Sequence, residues 1–272
     1  MKDNPALYSL EHQKYLKELR RRNAFISIMR YLILFAFIGF WELATHYGVL
    51  DPFITSSPSR FAQTIGNLYA SGELFRHIGT TLYETVAGFV LGTLLGTLIA
   101  MLLWWSPNLA RILDPYLVVL NALPKIALGP ILIVWVGAGI ESVIVMALLI
   151  SLIVTVLTVL TGFNEISAEK QMLMRTLGAT KLQIFTMVVL PASVPTIVSA
   201  VKIGMSMSWV GVIVGEYLVS KFGLGYLIVY GGQVFKLDLV MASIVVLCVL
   251  AALMYYGVSY IERKLVQWRA PK

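Results

Sequence analysis

Six long apolar runs dominate this chain and limit what it can fold into. Each has roughly 17 to 25 residues, the length that an α-helix needs to cross about 30 Å of hydrocarbon. Only 13% of the 272 residues are charged, against about 25% in an ordinary soluble domain. These features exclude a soluble, disordered or disulfide-rich chain and predict an all-α membrane protein with six transmembrane helices. The runs cover about residues 31–47, 81–104, 112–136, 140–161, 195–219 and 239–261.

The distribution of lysine and arginine predicts that both termini are cytoplasmic. With six spans, the inner segments carry seven, one, three and four of these residues, which makes 15, and the outer segments carry four. Loops rich in positive charge stay in the cytoplasm, so this imbalance also supports the count of six. The net charge of +7 fits basic loops beside anionic membrane lipid, and we expect no nucleic-acid partner.

The runs and loops divide the chain into three parts. Residues 1–30 are polar, basic and helix-prone, which predicts a cytoplasmic amphipathic segment. Residues 31–265 form the transmembrane domain, with a long cytoplasmic loop over residues 162–190, below called the elbow. Residues 266–272 form a cytoplasmic tail.

The elbow has the local signals of two short helices joined by a bend. Ser167 is suited to cap the first helix, with Glu169 in the first turn, where the helix dipole favours an acid. Gly178 suits the left-handed residue that ends a helix. Thr180 and Gln183 form a capping-box pattern, which predicts the start of a second helix.

The first of these helices is amphipathic. Leu173, Leu177 and the neighbouring methionines make an apolar face, while Glu169 and Arg175 lie among the polar positions. A short capped helix of this kind can dock into the groove of a partner. It can equally pack beneath its own membrane helices, and these residues alone favour neither reading.

The end of the elbow resembles the signature loop of ABC importer permeases. That pattern is Glu-Ala-Ala, three residues, Gly, nine residues, then Ile, any residue, Leu and Pro. Here Gly178 is followed after nine residues by Val188-Val189-Leu190-Pro191, so the second half of the pattern agrees. The first half does not, because Met172-Leu173-Met174 replaces Glu-Ala-Ala and leaves Glu169, one turn earlier, as the acid available for contact.

Other segments resemble the nitrate, sulfonate and taurine branch of this family, and the resemblance covers about residues 38–268. The order and spacing of the pieces make it specific. They are Phe40-Trp41-Glu42, Pro58-Ser59, Asp114-Pro115, residues 122–130, Trp135 before Gly137, Leu190-Pro191-Ala192, Trp209 with Glu216, and Gly223-Leu224-Gly225.

The resemblance implies a type I ABC importer permease fold in a bacterial cell membrane. It implies cytoplasmic ABC ATPase subunits, an extracellular or periplasmic solute-binding protein and a second permease copy, with transport by alternating access. The ATPase would bind the ATP, so we expect this chain to be no enzyme and to hold no cofactor or metal. The elbow would be the coupling helix, with contacts from Glu169, Arg175, Gly178, Ala179, Thr180, Leu190 and Pro191.

One charged side chain is predicted to lie within the third span. Lys125 follows Pro124 and precedes Pro130, and prolines open irregular helix of the kind that lines cavities. An anionic solute would use this charge, since ionisable residues inside membranes are commonly functional. The alternative is that Lys125 pairs with a backbone carbonyl or a nearby acid.

The fifth span is rich in small and polar residues. Ser208 and Trp209 have Gly204 and Gly211 nearby, a pattern that indicates either close helix packing or a solute path. Three acids lie towards the predicted outer ends of their spans: Glu42, Glu84 and Glu216. Each is expected to contact water, to pair with another of the three, or to contact the binding protein. The candidate translocation residues are therefore Pro124, Lys125, Ser208, Trp209 and Glu216.

Other classes of protein and of solute remain open. A membrane enzyme is disfavoured, because His12, His46 and His77 are far apart and the chain has neither a metal motif nor a phosphate loop. An ion-coupled secondary transporter is disfavoured by the lack of an internal repeat. For an importer, the resemblance implies a sulfonate, taurine or nitrate anion, and the alternative is a neutral heterocycle such as a thiamine precursor or riboflavin.

Overall fold

A computed structural model describes residues 10–266 of this chain. The α-helices in that range are α1 (Leu10–His46), α2 (Pro52–Thr55), α3 (Pro58–Ala70), α4 (Glu73–Trp105), α5 (Pro107–Ala122), α6 (Gly129–Val136), α7 (Ile140–Asn164), α8 (Ala168–Thr176), α9 (Lys181–Ile184), α10 (Leu190–Val219), α11 (Leu224–Gln233) and α12 (Leu237–Val266). A 3₁₀ turn (Lys125–Leu128) precedes α6, and a π-helical turn (Phe185–Val189) precedes α10. The residues group into two compact units, one ending at Gln63 and the other beginning at Thr64.

In the first unit, α1 is one continuous helix of 37 residues. The described part of the predicted cytoplasmic segment, residues 10–30, therefore runs without a break into the first apolar run. Near the end of α1, the carboxylate of Glu42 accepts hydrogen bonds from the backbone N–H and the hydroxyl of Ser59 at the start of α3, at 3.0 and 2.8 Å. The predicted tail lies outside the described residues apart from Val266.

Among the described residues, five helices are long and apolar enough to span a membrane, and the number is six if a bent pair of helices is counted as one span. The third predicted span, residues 112–136, covers both arms of this pair, α5 and the Lys125–Val136 segment, which meet at 91°. The bend follows from Pro124, because a residue before proline avoids the helical region and Leu123 is extended, with ψ 133°.

Helices α4, α7 and α10 form the centre of the second unit. Three glycines of α4, four residues apart, lie against three small residues of α7 with the same spacing. A Cβ atom added to Gly88 would lie 2.5 Å from the Cβ of Ala147. Small residues at this interval let helix backbones approach closely. The other contacting pairs are Gly92 with Ser151 and Gly96 with Thr155.

Helix α10 packs on the same helix, α7, through glycine. A Cβ atom added to Gly211 would lie 2.5 Å from the Cα atom of Ala147. A Cβ atom at Gly204 would lie 3.1 Å from the hydroxyl of Thr155. Close helix packing, one of the two interpretations of the small residues in the fifth span, is therefore present.

Helix α11 is an element that the sequence treated as part of an outer loop. Its side chains Leu224 and Leu227 are buried with Trp209 of α10 and Leu239 and Leu247 of α12. With ten residues, α11 is too short to span a membrane. It instead closes an apolar core between the last two long helices.

Candidate functional site

The first helix of the elbow, α8, ends in a complete Schellman motif. Gly178 has φ +78°, and its N–H donates to the carbonyl of Arg175 at 2.9 Å. The N–H of Ala179 donates to the carbonyl of Met174 at 2.9 Å. These two bonds satisfy carbonyls that the end of a helix leaves open. The left-handed glycine predicted at this position is confirmed.

The second helix of the elbow, α9, begins at the predicted capping box. The backbone N–H of Thr180 donates to the side-chain carbonyl of Gln183 at 2.8 Å, and the N–H of Gln183 donates to the hydroxyl of Thr180 at 3.3 Å. The bend is therefore fixed by Gly178 and Thr180. Ser167 occupies the predicted cap position but makes no side-chain hydrogen bond to the start of α8.

The end of the elbow is anchored in a buried aromatic cluster. Phe185 of the π-helical turn packs against Trp104 of α4 and Phe163 of α7, with ring centroids 4.9 and 5.5 Å apart. Ile184 and Val189 are buried in the same core. These packed side chains connect the end of the elbow to α4 and α7. Because close-packed protein interiors transmit strain, we expect a displacement of α9 to act on both helices.

The predicted motif residues Leu190 and Pro191 begin α10, directly after this cluster. Leu190 packs against the cluster and Pro191 is half-buried. Two residues later, the hydroxyl of Ser193 donates to the carbonyl of Gly162 at 3.0 Å, with both atoms buried. The start of α10 is thereby tied to the end of α7, and the elbow is held at both ends.

The outward face of the elbow is apolar and uncovered. The side chains of Met172, Leu173 and Leu177 are 65, 61 and 74% exposed. Glu169 and Arg175, at the two ends of α8, are also exposed. Met174 of the same helix packs against the buried core, so only part of the predicted apolar face lies beneath the chain's own membrane helices.

Lys125 lies at the bend between the two arms of the broken span. Its ammonium group donates to the carbonyl of Asn121 at 2.9 Å, which is the carbonyl pairing considered from the sequence. No acid lies within ion-pair distance of Lys125 among the residues described. Pro124 beside it is exposed, so the charge lies on the surface of this chain.

The remaining candidates on α10 are buried. The hydroxyl of Ser208 donates to the carbonyl of Gly204 at 2.9 Å. Trp209 is 6% exposed, and within the described structure its indole N–H has no partner. Glu216 is 1% exposed. These three side chains take part in the packing of α10, whereas Lys125 lies at the bend.

Glu216 is the centre of a polar network that the sequence did not reveal. Its carboxyl group accepts a hydrogen bond from the hydroxyl of Thr81 on α4 at 2.6 Å and one from the N–H of Gly225 at 2.5 Å. Thr81 in turn accepts from the N–H of Leu224 at 2.8 Å, and His77 accepts from that of Gly223 at 3.0 Å. Side chains from two long helices thus bind the buried N–H groups at the start of α11, which have no hydrogen-bond partner within that helix.

Glu84 belongs to the same region. It is fully buried, and neither oxygen of its carboxyl group has a hydrogen-bond partner among the described residues, although the carboxyl group of Glu216 is near enough to act on it electrostatically. The signal in the sequence was the row of polar residues on one face of α4, at positions 77, 81, 84 and 85. Lys202, the second lysine within a span, forms an ion pair with Glu262 of α12.

Within the described residues, no group of three or more histidine, cysteine, aspartate or glutamate side chains is placed to hold a metal ion. The carboxyl group of Glu216 instead accepts hydrogen bonds from a hydroxyl and a backbone N–H.

Residues 92–267 match the family described as the binding-protein-dependent transport system inner membrane component. This match covers more than half of the chain, and the chain belongs to that family. It is a permease subunit of an ABC importer, a multi-pass protein of the bacterial plasma membrane. The family implies an ABC ATPase and a solute-binding protein as partners.

Two relatives and one solved structure illustrate the similarity. The putative aliphatic sulfonates transport permease protein SsuC of Bacillus subtilis is 31% identical over 85% of this chain and 84% of its own length. The formylaminopyrimidine transport permease protein ThiX of Halalkalibacterium halodurans is 28% identical over 84% of this chain and 91% of its own. An inward-facing structure of the MetNI methionine ABC transporter aligns with a TM-score of 0.64 at 22% identity, over 72% of this chain and 97% of that one. The last comparison supports the type I importer permease fold.

Proposed function

We propose that this permease moves a sulfonate-type anion through a path between two copies of the chain, driven by ATPase subunits bound at the elbow. The observation that carries the proposal is the position of Lys125. Its charge lies at the break of a membrane span and is bound to one carbonyl oxygen.

A charge at this depth is costly if it faces lipid. Irregular backbone in a membrane is tolerated where it is covered by protein or lines a water-filled cavity. The bend at Pro124 and the partly exposed Lys125 therefore favour a site that a second copy of the chain encloses. Within such an aqueous path, the ammonium group would attract an anion.

The elbow supplies the surface for the ATPase. Its exposed apolar residues Met172, Leu173 and Leu177 suit a hydrophobic groove, and Glu169 and Arg175 offer charges at either end of α8. The aromatic cluster around Phe185 links this surface to α4 and α7. Closure of the ATPase subunits would thus act on the membrane helices through a short, rigid connection.

The anion is favoured over a neutral solute for one reason. A neutral heterocycle of the kind named for the ThiX relative would leave the charge of Lys125 without a counter-charge, whereas a sulfonate of the kind named for SsuC would neutralise it. Charge-assisted hydrogen bonds contribute about 1.5–3 kcal/mol. A neutral solute remains the alternative, and an ion-coupled secondary transporter is the less favoured one.

The experiment begins with affinity purification of the tagged permease from its native membrane, with mass spectrometry to identify the co-purifying ATPase and binding protein. The reconstituted complex is then tested for ATP-driven uptake of radiolabelled taurine, methanesulfonate and riboflavin. We expect uptake of a sulfonate, reduced about tenfold or more in Lys125→Gln and retained in Lys125→Arg. Lys236→Gln, which removes an exposed lysine elsewhere, is the control.

Two results would contradict the proposal. Unchanged sulfonate uptake in Lys125→Gln would remove the anion contact from the bend, and ATP-driven uptake of riboflavin alone would favour the neutral solute. Solute movement by the purified permease without an ATPase would favour a secondary transporter.

A further inference from the structure

A cavity of about 660 Å³ lies between the elbow and the ends of three membrane helices. Its walls come from the end of α4, the start of α5, the end of α7, and both helices of the elbow. It has no part in the bend at Lys125 or in the polar network at Glu216. The proposed function therefore leaves this cavity unexplained.

The polar side of the cavity is positively charged. Arg111 of α5, Arg175 of α8 and Lys181 of α9 all line it, and none of the lining residues is acidic. The structure as described gives neither arginine an acidic partner within ion-pair distance. Three cations held around one space without a counter-charge repel one another, so an anion there would stabilise the arrangement.

The other side of the cavity is apolar and lies at the membrane surface. Leu103, Leu160 and Ile184 line it together with Trp104. Two consecutive tryptophans, Trp104 and Trp105, end the span α4, and tryptophan is enriched where hydrocarbon meets headgroups. A ligand that fills this cavity must therefore offer both a negative charge and apolar chains.

Lys181 connects the two sides. Its ammonium group donates to the carbonyl of Trp105 at 2.6 Å and lies 5.6 and 5.5 Å from the ring centres of Trp104 and Trp105. The lysine is thus held at the rim of the cavity, beside the two tryptophans that end α4. It also attaches the elbow to the end of α4.

We propose that this cavity binds the phosphate headgroup of an anionic phospholipid, with Arg111, Arg175 and Lys181 around the phosphate and the acyl chains along Leu103 and Leu160. Basic pockets between membrane helices on the cytoplasmic side bind such headgroups. The bound lipid bridges α5 and the elbow, so it holds the elbow in the position from which it meets the ATPase. This proposal takes one point from the proposed function, namely that the elbow lies on the cytoplasmic side of the membrane.

The test uses the purified complex of permease and ATPase. Native mass spectrometry measures the lipid retained after titration with phosphatidylglycerol or phosphatidylcholine, and thermal unfolding is followed in the same samples. We expect retention of phosphatidylglycerol, a higher unfolding temperature with it, and neither effect with phosphatidylcholine. Inorganic phosphate and glycerol phosphate, added without lipid, distinguish a soluble anion from a headgroup, and we expect no comparable stabilisation from them.

A double variant removes two of the cations and leaves Arg175, a candidate for ATPase contact, in place. In Arg111→Gln with Lys181→Gln, we expect the affinity for phosphatidylglycerol to fall about tenfold or more. The control, Arg30→Gln with Lys236→Gln, removes two positive charges at exposed positions that do not line the cavity and is expected to bind as the wild type does.

Measurements on the wild type can also overturn the proposal, so the test does not depend on whether the variant folds. Equal retention of the two phospholipids, or equal stabilisation by free phosphate, would show that no anionic headgroup is selected. Retention in the permease alone that disappears when the ATPase binds would assign the cavity to the ATPase instead. None of these readouts requires transport, so failure here is separate from failure of the anion pathway.

Discussion

The hydroxyl of Thr81 and the carboxyl group of Glu216 are joined by a hydrogen bond of 2.6 Å, although 135 residues separate them in the chain. The same hydroxyl accepts from the N–H of Leu224 at 2.8 Å. One small side chain thus connects α4, α10 and the start of α11. In the buried interior, each of these polar groups depends on the others for its partner.

Replacing Thr81 by valine keeps the volume and removes both bonds. We expect the free energy of unfolding to fall by about 2–3 kcal/mol, because the buried N–H of Leu224 loses its side-chain partner and the carboxyl group of Glu216 loses one of two hydrogen bonds. Thr80→Val is the matched control, since the Thr80 hydroxyl is exposed and bonds only within its own helix. Thermal unfolding in detergent measures both. Equal stability of the two variants would show that the network contributes little.

Glycine at position 211 is required by close contact between helices. In Gly211→Ala, the new methyl group meets the backbone of Ala147, which cannot move aside as a flexible side chain does. We expect a loss of about 1–3 kcal/mol from overpacking. The control is Gly79→Ala, where a Cβ atom has no neighbour within 4 Å and helix propensity favours alanine by about 1 kcal/mol. We therefore expect the unfolding temperature to fall in Gly211→Ala and to rise in Gly79→Ala.

Gly178 is required for a different reason, its backbone conformation. A Cβ atom here meets nothing within 4 Å, but φ is +78°, which costs other residues about 1–2 kcal/mol. We expect Gly178→Val to rearrange the bend and reduce ATP-driven uptake, while its level in the membrane stays normal. Gly178→Asn should retain most uptake, because asparagine tolerates this region. Uptake at the wild-type rate in the valine variant would contradict the coupling role.

The exposed face of α8 can be tested without disturbing the fold. Leu177 is 74% exposed, so we expect Leu177→Asp to change the stability of the permease by less than about 0.5 kcal/mol. Recovery of the ATPase with the tagged permease should nevertheless fall sharply, since a charge would enter an apolar contact. Leu177→Met should recover the ATPase normally, and Phe53→Asp controls for a charge at another exposed apolar site. Full recovery with Leu177→Asp would exclude this face as the docking surface.

Features that depend on neighbouring residues in the chain were readable from the sequence. The long apolar helices follow from hydropathy, and the elbow follows from Gly178 and the Thr180–Gln183 capping box, whose hydrogen bonds are present. The glycines of α10 correctly indicated close helix packing. For the apolar helices and the elbow, the determining interactions lie within a few residues of one another. The glycines of α10 indicated a close approach but not its partner, which is the distant helix α7.

Features that depend on distant residues were not readable in the same way. Pro124 indicated irregular helix and accounts for the break, but the size of the bend, 91°, does not follow from the presence of a proline. Helix α11 was missed because its start is capped by Thr81 and Glu216 from other helices. Trp209 was assigned to a solute path, and its burial against Leu224 and Leu239 depends on that same missed helix.

The π-helical turn Phe185–Val189 also has a consequence for the direction in which the elbow points. A turn of this kind contains one residue more than regular α-helix would, and each residue of an α-helix advances the chain by about 100° around the axis. Removing one residue from the turn would therefore rotate the whole of α8 and α9 by that angle relative to α10. The direction in which the subunit presents Leu173 and Leu177 therefore depends on the number of residues in this turn, and not only on the side-chain contacts of Phe185.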